Sequence, residues 1–438
     1  MTTFAPLFVP PEVERAVCDR AWLAAMLEAE RALVNAEAIA GVVPAHLAGT
    51  IAGRCRPDLY DIDQLCRDAR AAGNPAEPLV RALREQAGGE AAGYVHWGAT
   101  SQDIVDSAAM LVATRALAPI DGWLASAAQR CAALALQHRT TPMAGRTLMQ
   151  QAVPTTFGLK AAGWLQGVRD ARSLVARVGG GRLPAQLGGA VGTLSVLGDH
   201  AGEVMRGYAH ELGLAEPIAP WHARRTPLIE LGAALAAVAA AAAKIADDVV
   251  LLSQTEVAEV REGAGGGSST MPHKRNPAGS VRALACAAHA RRHAAALVAA
   301  GPHEHERAAG AWHAEWEDVS GALAFAGGAA AAAAEVLAGL EVDPARMRRN
   351  LDLTGGLVMA ERVVFAAAGR VGLMQARRVV DAAATQAFAG GIAFRQALAD
   401  IEGLGLRLDE IDAALDPATG LEPAAAMVDR ILQGGEQS

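Results

Sequence analysis

A chain of 438 residues is too long for one simple core, and two or three domains are predicted. Its 39 basic and 47 acidic residues leave a formal net charge of −8, which argues against nucleic acid as a bulk partner. Hydrophobic residues make up 52% and aromatics only 4%; much of the rest of the apolar content is alanine, the strongest helix former, so an all-α protein with closely packed helices is expected.

No uncharged apolar run reaches the length of a membrane span, since the longest, 231–243 and 321–334, stop at Lys244 and Glu335. The N-terminus carries Glu12, Glu14, Arg15 and Asp19 soon after Pro10-Pro11 and lacks the basic-then-apolar pattern of a signal peptide, so a cytoplasmic protein is expected. Five scattered cysteines without a Cys-x-x-Cys pair suggest reduced, packed thiols rather than disulfides or zinc ligands.

Residues 1–103 read as short helices broken by polar turns, with Asp19 placed to cap the apolar stripe of Trp22, Leu23, Met26, Leu27 and Leu33. Asn74 in Gly73-Asn74-Pro75 reads as a turn residue. Next comes Tyr94-Val95-His96-Trp97-Gly98-Ala99-Thr100-Ser101-Gln102-Asp103, directly before the apolar-periodic segment 104–117. Thr100, Ser101 or Asp103 would cap that helix, and its free amides beside two hydroxyls and His96 also suit a carboxylate. His96 itself reads either as a ligand contact or as a buried structural histidine.

A second polar stretch, 145–160, holds Thr147, Gln150 and Lys160, and Pro154 is expected to open a helix through Ala161, Trp164, Leu165 and Val168. Gln186-Leu187-Gly188-Gly189-Ala190-Val191-Gly192-Thr193 has the glycines of a dinucleotide fingerprint without its βαβ setting, so a close-packed turn is the better reading. A long Ala-rich helix is predicted over 228–260, a second after Pro277, and a third over 323–340, with Trp312-His313-Ala314-Glu315-Trp316 in a polar interlude before it. His303, Glu304 and His305 match no metal-ligand spacing, and no metal is expected. From about Arg346 shorter helices return.

Between the first two long helices lies Gly265-Gly266-Gly267-Ser268-Ser269-Thr270-Met271-Pro272-His273-Lys274-Arg275-Asn276-Pro277. Glycines free the backbone on one side while Pro272 and Pro277 stiffen the other, and the stretch holds two serines and two cations. This composition suits a loop that closes over an anionic substrate.

Together these three polar stretches resemble the fumarase/aspartase superfamily: Gly267 to Pro277 fits its signature loop, His96 to Asp103 its first conserved region, and Gly145-Arg146-Thr147 with Gln150, Pro154 and Thr155-Thr156-Phe157-Gly158 its second. The resemblance implies an all-α fold of three domains, here 1–103, 104–345 with the loop at 263–277, and 346–438. It also implies a homotetramer around a long helical bundle, active sites shared between subunits, and addition or elimination beside a carboxylate without a cofactor. Members with a histidine–glutamate proton relay carry the histidine after the threonine of the second region and the glutamate seven residues past the loop lysine. Here those positions are Leu148 and Val281. A lone glutamate there would be a buried unpaired carboxylate, so losing both is consistent.

This departure resembles the superfamily's lactonising branch, which closes 3-carboxy-cis,cis-muconate to a lactone in protocatechuate breakdown. Gln186-Leu187-Gly188-Gly189-Ala190, Pro220-Trp221-His222, Glu304-His305-Glu306-Arg307 and Ala314-Glu315-Trp316 agree with it. The implied catalytic residues are Ser268, as proton donor, and Lys274. His96, Thr100, Ser101, Thr147, Gln150, Ser269, Asn276 and Arg307 would bind the substrate carboxylates, with no metal. An adenylosuccinate lyase-like activity and a non-catalytic structural relative are the alternatives; Leu148 and Val281 count against the first, intact Ser268, Lys274 and Asn276 against the second.

Overall fold

The computed structural model describes residues 4–263, 266–267 and 271–434. Helices dominate, and the described strands form only two-stranded pieces, the longest strand being Gln150–Thr156. Among the described residues six helices exceed twenty residues: Asp19–Ile39, Ser101–Gln137, Phe157–Gly179, Thr226–Leu252, Ala278–Ala299 and Ala311–Ala338. Alanine supplies helix propensity and a small side chain at once, so such helices pack at short range. At Gly321 even a methyl group is too large, because an added Cβ would lie 2.6 Å from the His293 ring. By length and composition Thr226–Leu252 and Ala311–Ala338 would suit a bilayer, yet 56% and 78% of their most apolar windows are buried within the fold.

The chain separates into two compact units. One comprises residues up to Ala125, Val168–Ala243 and Val281–Ala334; the other comprises Ser126–Gly167, Lys244–Ser280 and Glu335 onward. In the first, the Asp19–Ile39 helix packs on Ala201–Leu212, and a small core gathers Val34, Leu47, Ile51, Leu83 and Val95. In the second, Val363, Val380, Phe394, Leu398 and Ile411 form the centre of the C-terminal helices.

Four local expectations are corrected. Asp19 is the first helical residue rather than the cap, which is Cys18 without a side-chain bond; its carboxylate lies in the first turn, where the helix dipole favours it. The helix expected to reach Val260 ends at Leu252, where Ser253, Thr255 and Val257 replace alanine, and the chain continues into strand β3, Val260–Glu262. Trp312 and Glu315 belong to the third long helix rather than to an interlude. Pro154 opens no helix: β1, Pro142–Thr147, and β2, Gln150–Thr156, form an antiparallel hairpin, and the helix starts at Phe157. Proline is tolerated there because the register shift at Ala144/Gly145 falls opposite it. Asn74 is a turn residue as expected, its Oδ1 accepting the N–H groups of Ala76 and Glu77.

Candidate active site

In the first unit, the segment from His96 to Asp103 is a tight turn into the Ser101–Gln137 helix, with His96 at φ 63° and Gly98 at φ 70°. Asp103, fully buried, accepts the N–H of Thr100 at 2.9 Å, so the third helical residue reaches back to close the cap. The same carboxylate accepts the N–H groups of Gly188 and Gly189, each at 2.9 Å, and lies 2.7 Å from His222 Nε2. A Cβ on Gly188 would collide with Pro220 and His222, and Gly189 has φ 67°, which accounts for glycine at both places. The glycine turn therefore braces the first conserved region and is not a phosphate cradle.

Because Asp103 completes the cap, the Thr100 hydroxyl is left for another partner, and Arg307 Nη1 donates to it. Arg307 Nε donates to Gln102 Oε1 at 3.2 Å, and its guanidinium lies 5.8 Å from the Trp312 ring centroid. Beneath this pair sits a buried ionic cluster. Arg225, wholly enclosed, donates to Asp106 at 2.7 and 3.0 Å and to Glu315 at 2.6 Å, and Trp312 Nε1 donates to Asp106. Burial pushes the Glu315 carboxyl upward against the pull of Arg225. His303 Nε2 lies 3.1 Å from Glu315, while Glu304 accepts the N–H of Ala309, so these two residues have separate protein partners. The stretches around Gln186, Trp221, Glu315 and Arg307 thus converge on one network.

His96 has a partner that pattern reading did not find: Glu30, 1% exposed in the Asp19–Ile39 helix, with Oε1 2.6 Å from His96 Nδ1. Arg225 was missed likewise. A buried carboxylate or guanidinium looks like any surface charge in a sequence; only its position on the apolar face of a helix would have hinted at it.

In the second unit, the β1–β2 hairpin pairs Thr147 with Gln150 and turns through Leu148 and Met149 at φ 49° and 68°. Leu148 is 96% exposed on this chain. Arg146 anchors the hairpin by donating to both oxygens of the fully buried Glu259 at 3.0 and 2.7 Å, and Asn350 adds a third bond at 2.8 Å. Strand β3 follows Glu259 directly and pairs with β6, Leu340–Val342. Glu262, at its end, accepts the N–H groups of Gly279 and Ser280 at 3.0 and 2.8 Å and the Ser280 hydroxyl at 2.6 Å, so one carboxylate ties the two roots of the glycine loop together. Within the loop, β4, Gly266–Gly267, pairs with β5, Arg275–Asn276. Lys274 is exposed, with its backbone N–H on Met271 O.

The structure brings His96, Thr100, Ser101 and Arg307 into the first unit, and Thr147, Gln150, Lys274 and Asn276 into the second. Ser268 and Ser269 lie outside the described residues.

A family model described as lyase matches residues 12–289, and one described as adenylosuccinate lyase C-terminus matches residues 356–431. The chain is 44% identical to a 3-carboxy-cis,cis-muconate cycloisomerase of Bradyrhizobium diazoefficiens over 100% of this chain and 99% of that one. It is 45% identical to a nitrosuccinate lyase of Streptomyces davaonensis over 99% and 95%. The crystal structure of a 3-carboxy-cis,cis-muconate lactonizing enzyme from Pseudomonas putida superposes with a TM-score of 0.93 at 39% identity, covering 99% of each chain. With the lyase model spanning more than half its length and these full-length relatives sharing over a third of its residues, the chain belongs to the fumarase/aspartase superfamily.

Proposed function

We propose that this chain is an intramolecular lyase that closes 3-carboxy-cis,cis-muconate to its lactone, within the protocatechuate branch of aromatic breakdown. The observation that carries this reading is that both places of the proton relay are filled by apolar side chains: Leu148 stands at the hairpin tip and Val281 near the start of the Ala278–Ala299 helix. Lactonisation does not need that relay. Its nucleophile is a carboxylate of the substrate, already ionised near neutral pH.

In the proposed reaction a carboxylate oxygen bonds to the ring-closing carbon, and the alkene electron pair moves to the adjacent carbon, whose flanking carboxylate takes up the charge. Lys274, Asn276, the Thr100–Ser101 helix start and His96 stabilise that charge. Arg307, held flat by Thr100 and Gln102, grips a carboxylate with its remaining N–H groups. Thr147, Gln150 and Ser269 contact the substrate, and Ser268 delivers the single proton. No atom leaves, and no metal or cofactor takes part. The protein works in the cytoplasm as a homotetramer of three-domain chains (1–103, 104–345, 346–438), with each site drawn from three subunits.

The full-length identity to a nitrosuccinate lyase supports a second reading, elimination from a substituted succinate. Three assays separate these readings: loss of conjugated-diene absorbance from 3-carboxy-cis,cis-muconate, nitrite release from nitrosuccinate, and fumarate release from adenylosuccinate. Turnover of the first alone is expected; faster turnover of either other substrate would replace the lactonising reading.

A further inference from the structure

Glu30 sits where a carboxylate has little reason to be. It is 1% exposed, on a helix whose neighbouring buried residues are Ala29, Ala32 and Leu33, and its hydrogen-bonded partner is His96 Nδ1 at 2.6 Å. An ion this deep persists only when paired, because desolvation otherwise outweighs what it gains. His96 in turn is held in a conformation that a histidine does not choose freely. Its φ is 63°, with Arg84 Nη2 donating to the carbonyl of the preceding Val95 at 3.3 Å. Two restraints, one on the ring and one on the backbone, thus fix one side chain at the mouth of the Thr100–Ser101 helix start. Nδ1 is committed to Glu30, and among the described residues His96 Nε2 has no hydrogen-bond partner.

We propose that Glu30 is a positioning residue which, through its hydrogen bond to Nδ1, makes His96 a carboxylate-binding cation with Nε2–H offered to the substrate. The proposal rests on the carboxylate-site reading above and adds what sets the charge of that site. His96 has three nearby ionisable groups: Glu30 on the Asp19–Ile39 helix, Asp103 at the start of the Ser101–Gln137 helix, and Arg84 on the Ala76–Ala87 helix. Around Glu30 lie Glu37, one turn pair further along the same helix, the enclosed phenol of Tyr208 on Ala201–Leu212, the Cys55 thiol and the Tyr60 phenol, the last two also pushed up by burial and so uncharged near pH 7. Burial keeps Glu37 and Tyr208 neutral near pH 7, so neither competes with Glu30 as the counter-ion. Burial works against the His96 cation, but Glu30 and then Asp103 outweigh it, and the net direction is upward from the ordinary histidine value. The sign follows: the cation is present below the raised value and is lost as pH rises through it.

The test uses the full-length protein with Glu30→Gln, which keeps the shape and removes the charge, and His96→Gln. Circular dichroism establishes that each variant is folded. Binding of tricarballylate, a saturated tricarboxylate probe, is followed by calorimetry from pH 6 to 9, and kcat and KM are followed with 3-carboxy-cis,cis-muconate. In the parent, affinity falls as pH rises; in Glu30→Gln that fall moves to lower pH. At pH 7.5 probe affinity in Glu30→Gln drops by at least about tenfold, a loss of order 1.4 kcal/mol, and kcat/KM for the muconate falls at least as far, because the same cation serves the developing charge. His96→Gln abolishes the pH-dependent limb; should Glu30→Gln not fold, the parent's own limb decides, because a fall centred at or below the ordinary histidine value of 6.5 would show that Glu30 does not hold the cation. A parent that fails to bind the probe, or a pH dependence unchanged in the folded variants, overturns the proposal. Probe binding with the expected shift in a parent that does not lactonise leaves Glu30 in its role and overturns only the lactonising reading.

Discussion

Leu148 and Met149 hold left-handed backbone conformations at an exposed tip, an arrangement costing on the order of 1 kcal/mol for each residue without glycine. In the proposed reaction, with no base at Leu148 or at Val281, the chain delivers one proton, and Ser268 is the proposed donor. Ser268→Ala is expected to lower turnover of 3-carboxy-cis,cis-muconate by about a hundredfold or more with assembly unchanged, and Ser269→Ala to do less. Steady-state rates and light scattering on the two variants check this; near-normal rates in Ser268→Ala would move the donor elsewhere. Glu37 offers a second test. Its carboxyl is enclosed without a hydrogen-bond partner among the described residues, and burial, then Glu30, push it up to about 9. The folded carboxyl therefore stays protonated while the unfolded one ionises above its ordinary value of 4.5. Stability is undiminished below pH 4.5, falls progressively between 4.5 and 9, and levels beyond, by a total of several kcal/mol. Glu37→Gln removes this dependence, so its melting temperature should exceed the parent's by a margin that widens from pH 5 to 9. A constant margin would mean that Glu37 is not held neutral.

Among the elements, the β1–β2 hairpin is anchored by an ion pair between Arg146, a quarter exposed, and the buried Glu259. Arg146→Met leaves that carboxylate with Asn350 alone and is expected to destabilise the fold by roughly 3–5 kcal/mol in urea denaturation, whereas Arg146→Met with Glu259→Met should lose much less. Equal losses in the single and double variants would show that the pair does not anchor the hairpin. The hairpin was hidden from sequence because Leu148-Met149 lacks the Asn-Gly or Asp-Gly chemistry that marks two-residue turns, and because Pro154 argues for a helix start. By contrast, the cap at Thr100 and Asp103, the long alanine helices and the glycine turn at 188–189 were legible, since each follows from local propensity. Glu30, Arg225 and Glu262 were not. Their roles exist only where residues 66, 119 and 18 positions away in the chain meet them, and no local pattern encodes that meeting. The helix end at Leu252 falls between these cases, a local signal outvoted by the alanine run before it.

For the whole molecule, one inference from sequence needs amendment. A glutamate at position 281 was expected to be buried and unpaired, yet Val281 is 55% exposed on the single chain. Burial of that position, like that of Leu148, requires neighbouring subunits to cover it. The same requirement gives the proposed shared site a direct test. If Arg307 and Ser268 reach one site from different subunits, Arg307→Ala and Ser268→Ala homotetramers are each inactive, but their mixed tetramers contain some sites with both residues intact. Co-refolding the two variants in equal amounts should restore roughly a quarter of parental activity, the fraction set by random mixing in a closed symmetric assembly. Were both residues supplied by one chain, no intact site would form at any mixing ratio, because every chain carries one of the two lesions. Activity therefore peaks at equal mixing and vanishes towards either pure variant in the shared-site case, and stays at the homotetramer level throughout in the other.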